Sequence, residues 1–596
     1  MRTLGIASLL VFVASTSLAA QNDTLRPAAP PDTAHRRLEP KLPPPGPLDT
    51  AHGRRLVPKA PPAAAAQADT APADTGAAGR GRTLVSKEPP AAAEPAHDIE
   101  SSLYLPIGSW TTPFVEHLIR AGVLRGLDPL TRPLKRADVA RAVARVDTAG
   151  LAGPVRSQLR LLAEELGERQ EPVRWKLEGG VGVLGASDAS REAWRPAGDT
   201  ARAFAQADLA LSFEMPHFAF VTHPRVDNRL KYDPEYIGKK DRFVAGRNDE
   251  AYVIGSWKYL DVFFGLADRN WGPPEVAGLI VSTAPYAYDH LFLRLGPRQL
   301  RLEMLATELN DLPEWADSVG QAQTSARDRR FLSVHRLVVE PSDRFAFSLS
   351  EAMLYANEGG ISRSWEPWYL NPLNLWLLAQ YQGKTTGNSL VAADVTWQPR
   401  PDLRLYGQLY LDDIQVDRRQ TSDREPPGYG FTLNATGGAL GGRVSWSAFY
   451  TKVTNLAYRT PANQEQYTSD SVGLARAHDD YDQLTARVTT APAARALLSG
   501  EVTVLRQGQG GIGTHYPAVS QYADSLWFLT GVVERTLRIA AQASWTPVYG
   551  VNLSADVGRH FVRNANHVAG ARADRWVWRL KAEIRRRLTG AVRWKD

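Results

Sequence analysis

The chain has 596 residues, no cysteine, 43% hydrophobic residues and a formal net charge of +6. The lack of cysteine excludes disulfides, thiol chemistry and a lipid on a cysteine near the start. The positive charge is spread along the chain, so it marks no nucleic-acid face, and the export signal described next removes nucleic acid as a partner.

Arg2, the apolar run Leu4 to Val13 and the small residues Ala14 to Ala20 read as a cleavable signal peptide over 1–20. That run is about ten residues, short of the ~20 a spanning helix needs. No later uninterrupted apolar run approaches that length. Two classes of exported protein stay open, a soluble periplasmic protein or a β-barrel whose strands hide their apolar half by alternation.

Residues 21–97 are mostly Pro, Ala, Arg, Asp and Thr, and Asp32-Thr33-Ala34-His35 recurs as Asp49-Thr50-Ala51-His52. This composition cannot bury a core and predicts an extended, disordered tether, a spacer more than a binding segment. At ~3.1 Å per residue it would cross much of a periplasm, toward peptidoglycan or another envelope component.

A helical domain is predicted over 98–170. Phe114, Leu118 and Ile119 share a face that stops at Gly122, and Ala137 to Val146 and Val155 to Leu166 place apolar residues three or four apart. Trp110 to Ala140 resembles one S-layer homology repeat, through Ala121-Gly122-Val123, Asp128-Pro129 and Arg136-Ala137-Asp138-Val139. Those modules bind cell-wall polymers in sets, so one copy fits a plug or barrel cap better.

From Glu171 the period is two. Leu403, Leu405, Gly407, Leu409 and Leu411 fall on one face, opposite Arg404, Tyr406, Gln408, Tyr410 and Asp412. Leu537, Ile539, Ala541, Ala543 and Trp545 repeat the pattern, as does the final strand around Trp576, Trp578, Leu580, Ala582 and Ile584. Trp397, Trp446, Trp545 and Trp576 suit aromatic girdles. The fold predicted for 171–596 is mainly β, a large closed antiparallel transmembrane barrel of about 16 to 18 strands.

Such barrels keep short turns on the periplasmic side. Gln398 to Pro401, Glu340 to Asp343 and Thr546 to Gly550 are such turns, which puts the segment Ala356 to Leu390 outside or in the barrel mouth. Trp365, Trp368, Tyr369 and Asn371 lie in it, flat apolar rings beside amides, the combination that recognises sugars. Packing into the mouth or an outer girdle would account for the same rings. Asp268 and Trp271, in Asp268-Arg269-Asn270-Trp271-Gly272-Pro273-Pro274-Glu275, are expected at the outer end as a second sugar-binding candidate. Asp412 joins them at a strand's outer end. Lining or salt-bridging a wet channel is the alternative for these polar groups.

Enzyme signals fail one by one. Gly508, Gly510 and Gly513 have dinucleotide-loop spacing but no helix follows, Gly383-Lys384-Thr385 lacks the earlier glycine, and no G-x-S-x-G occurs. His217 and His223 have no ligand pattern around them, and adjacent Asp412 and Asp413 point to opposite faces of a strand. No catalytic residue, metal or cofactor is expected.

Asp268-Arg269-Asn270-Trp271-Gly272-Pro273-Pro274, Leu279 to Pro285, Ser350 to Tyr355, Tyr369-Leu370-Asn371-Pro372-Leu373 and Tyr410-Leu411-Asp412-Asp413, in that order, resemble the capsule assembly Wzi family. The resemblance runs from Leu103 to the C-terminus. It implies an eighteen-stranded outer-membrane barrel with a periplasmic helical bundle, acting as a lectin that attaches capsular or exopolysaccharide to the cell surface, in contact with outer-membrane lipid. A porin-like diffusion channel for sugars or ions is the competing expectation.

Overall fold

A chain whose apolar residues recur at every second position can bury both its backbone hydrogen bonds and its polar face only by curling a sheet on itself. The computed structural model describes residues 102–592 except 168–172, 197–200, 243, 311–328, 358–362, 382–386, 413–425, 471, 515 and 523–526. The signal peptide and the tether fall outside the described residues. The barrel strands are β1 (Arg174–Ala186), β2 (Arg202–Met215), β3 (Phe218–Asp227), β4 (Gly246–Trp257), β5 (Leu260–Leu266) and β6 (Asp289–Leu295). They continue as β7 (Leu300–Leu309), β8 (Arg330–Ser342), β9 (Phe345–Ala356), β10 (Asn388–Arg400), β11 (Leu403–Leu411) and β12 (Tyr429–Ala439). The last are β13 (Val444–Val453), β14 (Tyr481–Ala493), β15 (Ala496–Gln507), β16 (Glu534–Trp545), β17 (Val551–Arg563) and β18 (Arg572–Ala591). Each pairs antiparallel with its chain neighbours, and β1 meets β18 from Arg174↔Ala591 to Ala186↔Arg579, which closes the barrel at eighteen strands.

Exposure inverts the pattern of a soluble sheet. On β11, Leu405 and Leu409 are 36% and 45% exposed while Tyr406, Gln408 and Tyr410 between them are buried. On β18, Trp576, Leu580, Ile584 and Leu588 face out and Val577 and Glu583 are buried. An apolar exterior around a polar, charged interior is stable in hydrocarbon, where a closed barrel leaves no backbone group unpaired. Every second connection is a turn of two to five residues, including those at 343–344, 401–402 and 546–550. Trp257, Trp397 and Trp545 ring that end with exposed indoles.

The helical domain sits at the short-turn end. α1 (Thr112–Arg120), α2 (Arg136–Ala144) and α3 (Gly153–Leu166) bury Phe114, Leu118, Val139, Val155, Leu159 and Leu162 together, and Ala491 and Leu497 beside a barrel turn complete the cluster. Pro113 and Pro154 open α1 and α3, where a missing N–H costs nothing. Gly122, at φ +71°, follows the end of α1 against the wall; a Cβ there would lie 2.0 Å from the Pro401 carbonyl oxygen. The buried His117 ring reaches Ser445 Oγ through Nδ1 at 2.9 Å and the Gly442 carbonyl through Nε2 at 3.0 Å. Burial and the neighbouring Arg120 lower its pKa to about 4. Residues 110–140 thus pack against the barrel, with α1 docked on the turn between β12 and β13.

Candidate functional site

The lumen is filled by three pieces of chain. The loop 267–288 between β5 and β6 leaves the outer end and turns back inside, where Trp271 and Asn270 form a short antiparallel ladder with Thr131 and Arg132 of the helical domain. Asn270 holds this return: its Nδ2 donates to the carbonyls of Gly272, Pro273 and Val276 at 3.0–3.2 Å, and its Oδ1 accepts from Gly278 N at 2.8 Å. The loop 454–480 enters beside it. Tyr458 stacks on Tyr410 at 4.5 Å and neighbours Tyr467. The hydroxyls of Tyr458 and Tyr467 donate to the carbonyls of Leu279 and Ile280 at 2.9 and 3.0 Å. With Leu103 and Tyr104 these loops make one apolar core inside the barrel, including Phe263, Trp271, Leu279, Ile280, Val281, Leu332 and Leu354.

Below Trp271 the lumen is ionic. The Arg336 guanidinium lies 4.2 Å from the Trp271 ring and pairs with Glu303 at 2.7 Å, and Arg294 and Arg301 reach the same carboxylate at 3.1 and 2.9 Å. Arg301 also holds Asp128 of the helical domain at 2.7 Å. A buried carboxylate shared by three guanidiniums is costly to dismantle, so this network fixes the helical domain to the wall.

A cavity of about 340 Å³ runs along the opposite wall, between residues 103–111 and strands β1–β4 and β18. Lys176, Glu178, His223, Arg225, Arg247, Asp268 and Arg585 line it. Arg247 of this lining also reaches the Tyr286 ring, which lies between two guanidiniums, Arg191 at 4.2 Å and Arg247 at 4.4 Å. Arg191 is held by the carbonyls of Thr283, Ala284 and Pro285, and the Tyr286 hydroxyl donates to Asp233. With both guanidiniums stacked on the ring, what this arrangement offers a ligand is guanidinium N–H groups, which suit an acidic group. Burial pushes the Asp268 carboxyl up, against the pull of Arg247.

The residues singled out from the sequence fall in three places rather than one. Asp268 lines the cavity. Trp271 is fully buried in mid-barrel instead of at the outer end, because the loop that follows β5 folds inward. Asp412 serves the lumen core, its Oδ2 accepting from Tyr410 Oη at 2.8 Å and Tyr458 N at 2.7 Å. Trp365, Trp368, Tyr369 and Asn371 lie outside the barrel wall. On β8 the even positions Leu332, Val334 and Arg336 face the lumen, so Phe331, Ser333 and His335 face out, as do Glu351, Met353 and Tyr355 on β9 that pair with them. All six outward residues are buried, covered by α4 (Pro367–Leu370) and α5 (Trp376–Tyr381). Tyr369 stacks on Tyr355 at 4.6 Å and Trp376 on His335 at 4.0 Å. Trp368 Nε1 donates to Glu366 Oε2 at 2.8 Å, and Asn371 Oδ1 accepts from Leu373 N at 3.1 Å.

Sequence reasoning missed Arg191, Arg247 and Tyr286. The available signal was Tyr286-Ala-Tyr288 directly after Leu279 to Pro285, but its two arginine partners come from distant segments. His223, set aside from the sequence, pairs with Asp208 at 2.9 Å, and the described residues contain no group of three metal-type ligands.

No family model matches the sequence, and no curated protein matches it significantly. Among solved structures the chain is similar to Wzi of Escherichia coli, an outer-membrane protein involved in group 1 capsule assembly and described as a carbohydrate-binding β-barrel. The two share 13% identity and a TM-score of 0.52, over 81% of this chain and 99% of Wzi. This chain has the Wzi-like barrel fold. It also overlaps OpdK of Pseudomonas aeruginosa (8% identity, 70% of this chain, 99% of that one, TM-score 0.40) and a BenF-like porin of Pseudomonas fluorescens Pf-5 (9%, 70%, 98%, 0.40).

Proposed function

We propose that this chain is an outer-membrane barrel that binds surface polysaccharide, capsular or exopolysaccharide, at its outer end and retains it on the cell, acting by binding and not by catalysis. The observation that carries the reading is the apolar core inside the lumen, which leaves little room for a diffusion path and leaves an aromatic and cationic rim above it. A porin needs a continuous watery lumen. The likeness in fold to a carbohydrate-binding barrel supports the same choice. Arg191 and Arg247, stacked on Tyr286, are the proposed contact, suited to a sugar that carries carboxylate or pyruvate groups. The Pro/Ala-rich stretch is proposed to reach the cell wall.

Deleting the gene in its host and separating cell-bound from shed polysaccharide tests this. The expected result is normal synthesis with polymer released to the medium, reproduced by Tyr286→Ala with Arg191→Ala in a barrel that still assembles. Unchanged retention in the deletion strain would end the binding reading.

A further inference from the structure

The α4–α5 segment covers the outside of the barrel at a height that water does not reach in a membrane-spanning strand. Phe345 and its partner Trp397 mark the short-turn edge of this wall. At ~3.3 Å per residue along strands tilted about 40°, Glu351 and Tyr355 stand about 15 and 25 Å above Phe345, within an apolar band ~25 Å tall. Directly below, the same wall exposes Leu337 and Leu349. The segment continues that surface, since Leu370, Leu373, Leu375 and Leu378 are exposed, Leu373 by 81%. Its inner side is what a lipid would reject: the His335–Glu351 pair at 3.1 Å lies on the outward face of β8 and β9, beneath α5. Glu351 fastens the segment, accepting from the backbone N–H of Trp376 at 2.8 Å and from that of Leu377.

We infer that residues 363–381 form an external flap seated in the outer leaflet, with Leu370, Leu373, Leu375 and Leu378 against lipid acyl chains and Glu351 as the latch that holds it to the wall. This rests on the reading of the barrel as membrane-spanning with its long loops outward. Two independent features agree on the occupant, the continuity of exposed leucines with the belt below and the covering of a polar pair that faces hydrocarbon. The aromatic rings that suggested sugar recognition then have another role: Tyr369 packs inward beside Trp376, Trp365 meets Phe331 of the wall edge-on at 5.2 Å, and Trp368 donates to Glu366 within the flap.

The cysteine-free chain allows single spin labels. Full-length protein carrying Leu349→Cys, Leu373→Cys, Leu375→Cys or Asp343→Cys is labelled and reconstituted in vesicles of phosphatidylcholine and phosphatidylglycerol. Collisions with oxygen, which concentrates in the bilayer, are compared with collisions with a water-soluble nickel chelate. Labels at 373 and 375 are expected to follow the belt position 349, rich in oxygen contact and shielded from nickel, with the reverse at Asp343 in a short turn. Adding Glu351→Gln is expected to raise nickel contact and mobility at 373 while leaving 349 unchanged. Nickel contact at 373 and 375 with 349 still in lipid overturns the flap alone. Nickel contact at 349 overturns the membrane reading with it. Shielding from both reagents, with spin–spin broadening, overturns lipid as the occupant in favour of a second copy.

Discussion

Glu303 is the residue on which the interior most depends. Its carboxylate is fully buried and meets Arg294, Arg301 and Arg336, and Arg336 in turn supports the Trp271 ring and the backbone around Leu130. Replacing it with glutamine keeps the volume but leaves three guanidiniums with one fewer buried counter-charge. Breaking such a pair from one side costs about 3–5 kcal/mol. Glu303→Gln is expected to lower the temperature at which the barrel loses its compact mobility in detergent gels, and Glu303→Gln with Arg336→Met to recover part of the loss. A midpoint unchanged by the single substitution would mean that the network carries no stability. Asp412 is a parallel case at lower stakes. Its position at the end of β11 made it a sugar-binding candidate, whereas its Oδ2 is committed to Tyr410 and Tyr458.

Between elements, the docking of α1 on the turn between β12 and β13 carries a pH dependence. The His117 ring is neutral when docked, with its pKa lowered by burial to about 4 from an ordinary 6.5. A group whose docked pKa is depressed in this direction takes up a proton more readily when undocked. The contact is therefore at full strength above pH ~6.5 and weakens as pH falls toward 4, by at most about 3 kcal/mol. Hydrogen exchange of the Thr112–Arg120 amides should accelerate over that window, and His117→Gln should flatten the dependence. Acceleration unaltered by the substitution would assign it to other groups. The helix itself was legible, because Phe114, Leu118 and Ile119 set its buried face and Gly122 its end. The strands were legible for the same reason, a period of two that puts Leu405 and Leu409 on one side and Gln408 and Tyr410 on the other. The paths of the loops were not. Nothing local tells Trp271 that Thr131 will pair with it, or tells Tyr369 that it will meet Tyr355 outside the wall. Those contacts are set by residues more than a hundred positions away in the first case and by the outward face of a strand in the second.

At the scale of the whole molecule, the hydrophobic core and the membrane belt are two separate apolar surfaces divided by one sheet. The belt follows from alternation. The core inside follows from it only in part: inward strand positions such as Ile254, Phe263, Phe292, Leu332, Val334 and Leu354 give an apolar lining, and the loops 267–288 and 454–480 with Leu103 and Tyr104 bring the apolar residues that pack against it. A barrel of eighteen strands is wide enough to pass solutes when empty, so this filling decides between a closed binding platform and a pore. The full chain in a planar bilayer is expected to show no large, steady conductance. Replacing residues 456–476 by a short Gly-Ser link removes Tyr458, Tyr467 and Leu474 from the core and is expected to produce open-channel steps, since Leu279 and Ile280 lose the partners that hold the second loop inside. Steps of equal size before and after the replacement would show that water already passes the core. The 340 Å³ cavity beside β1–β4 and β18 would then be the path to block, by Asp268→Trp from above.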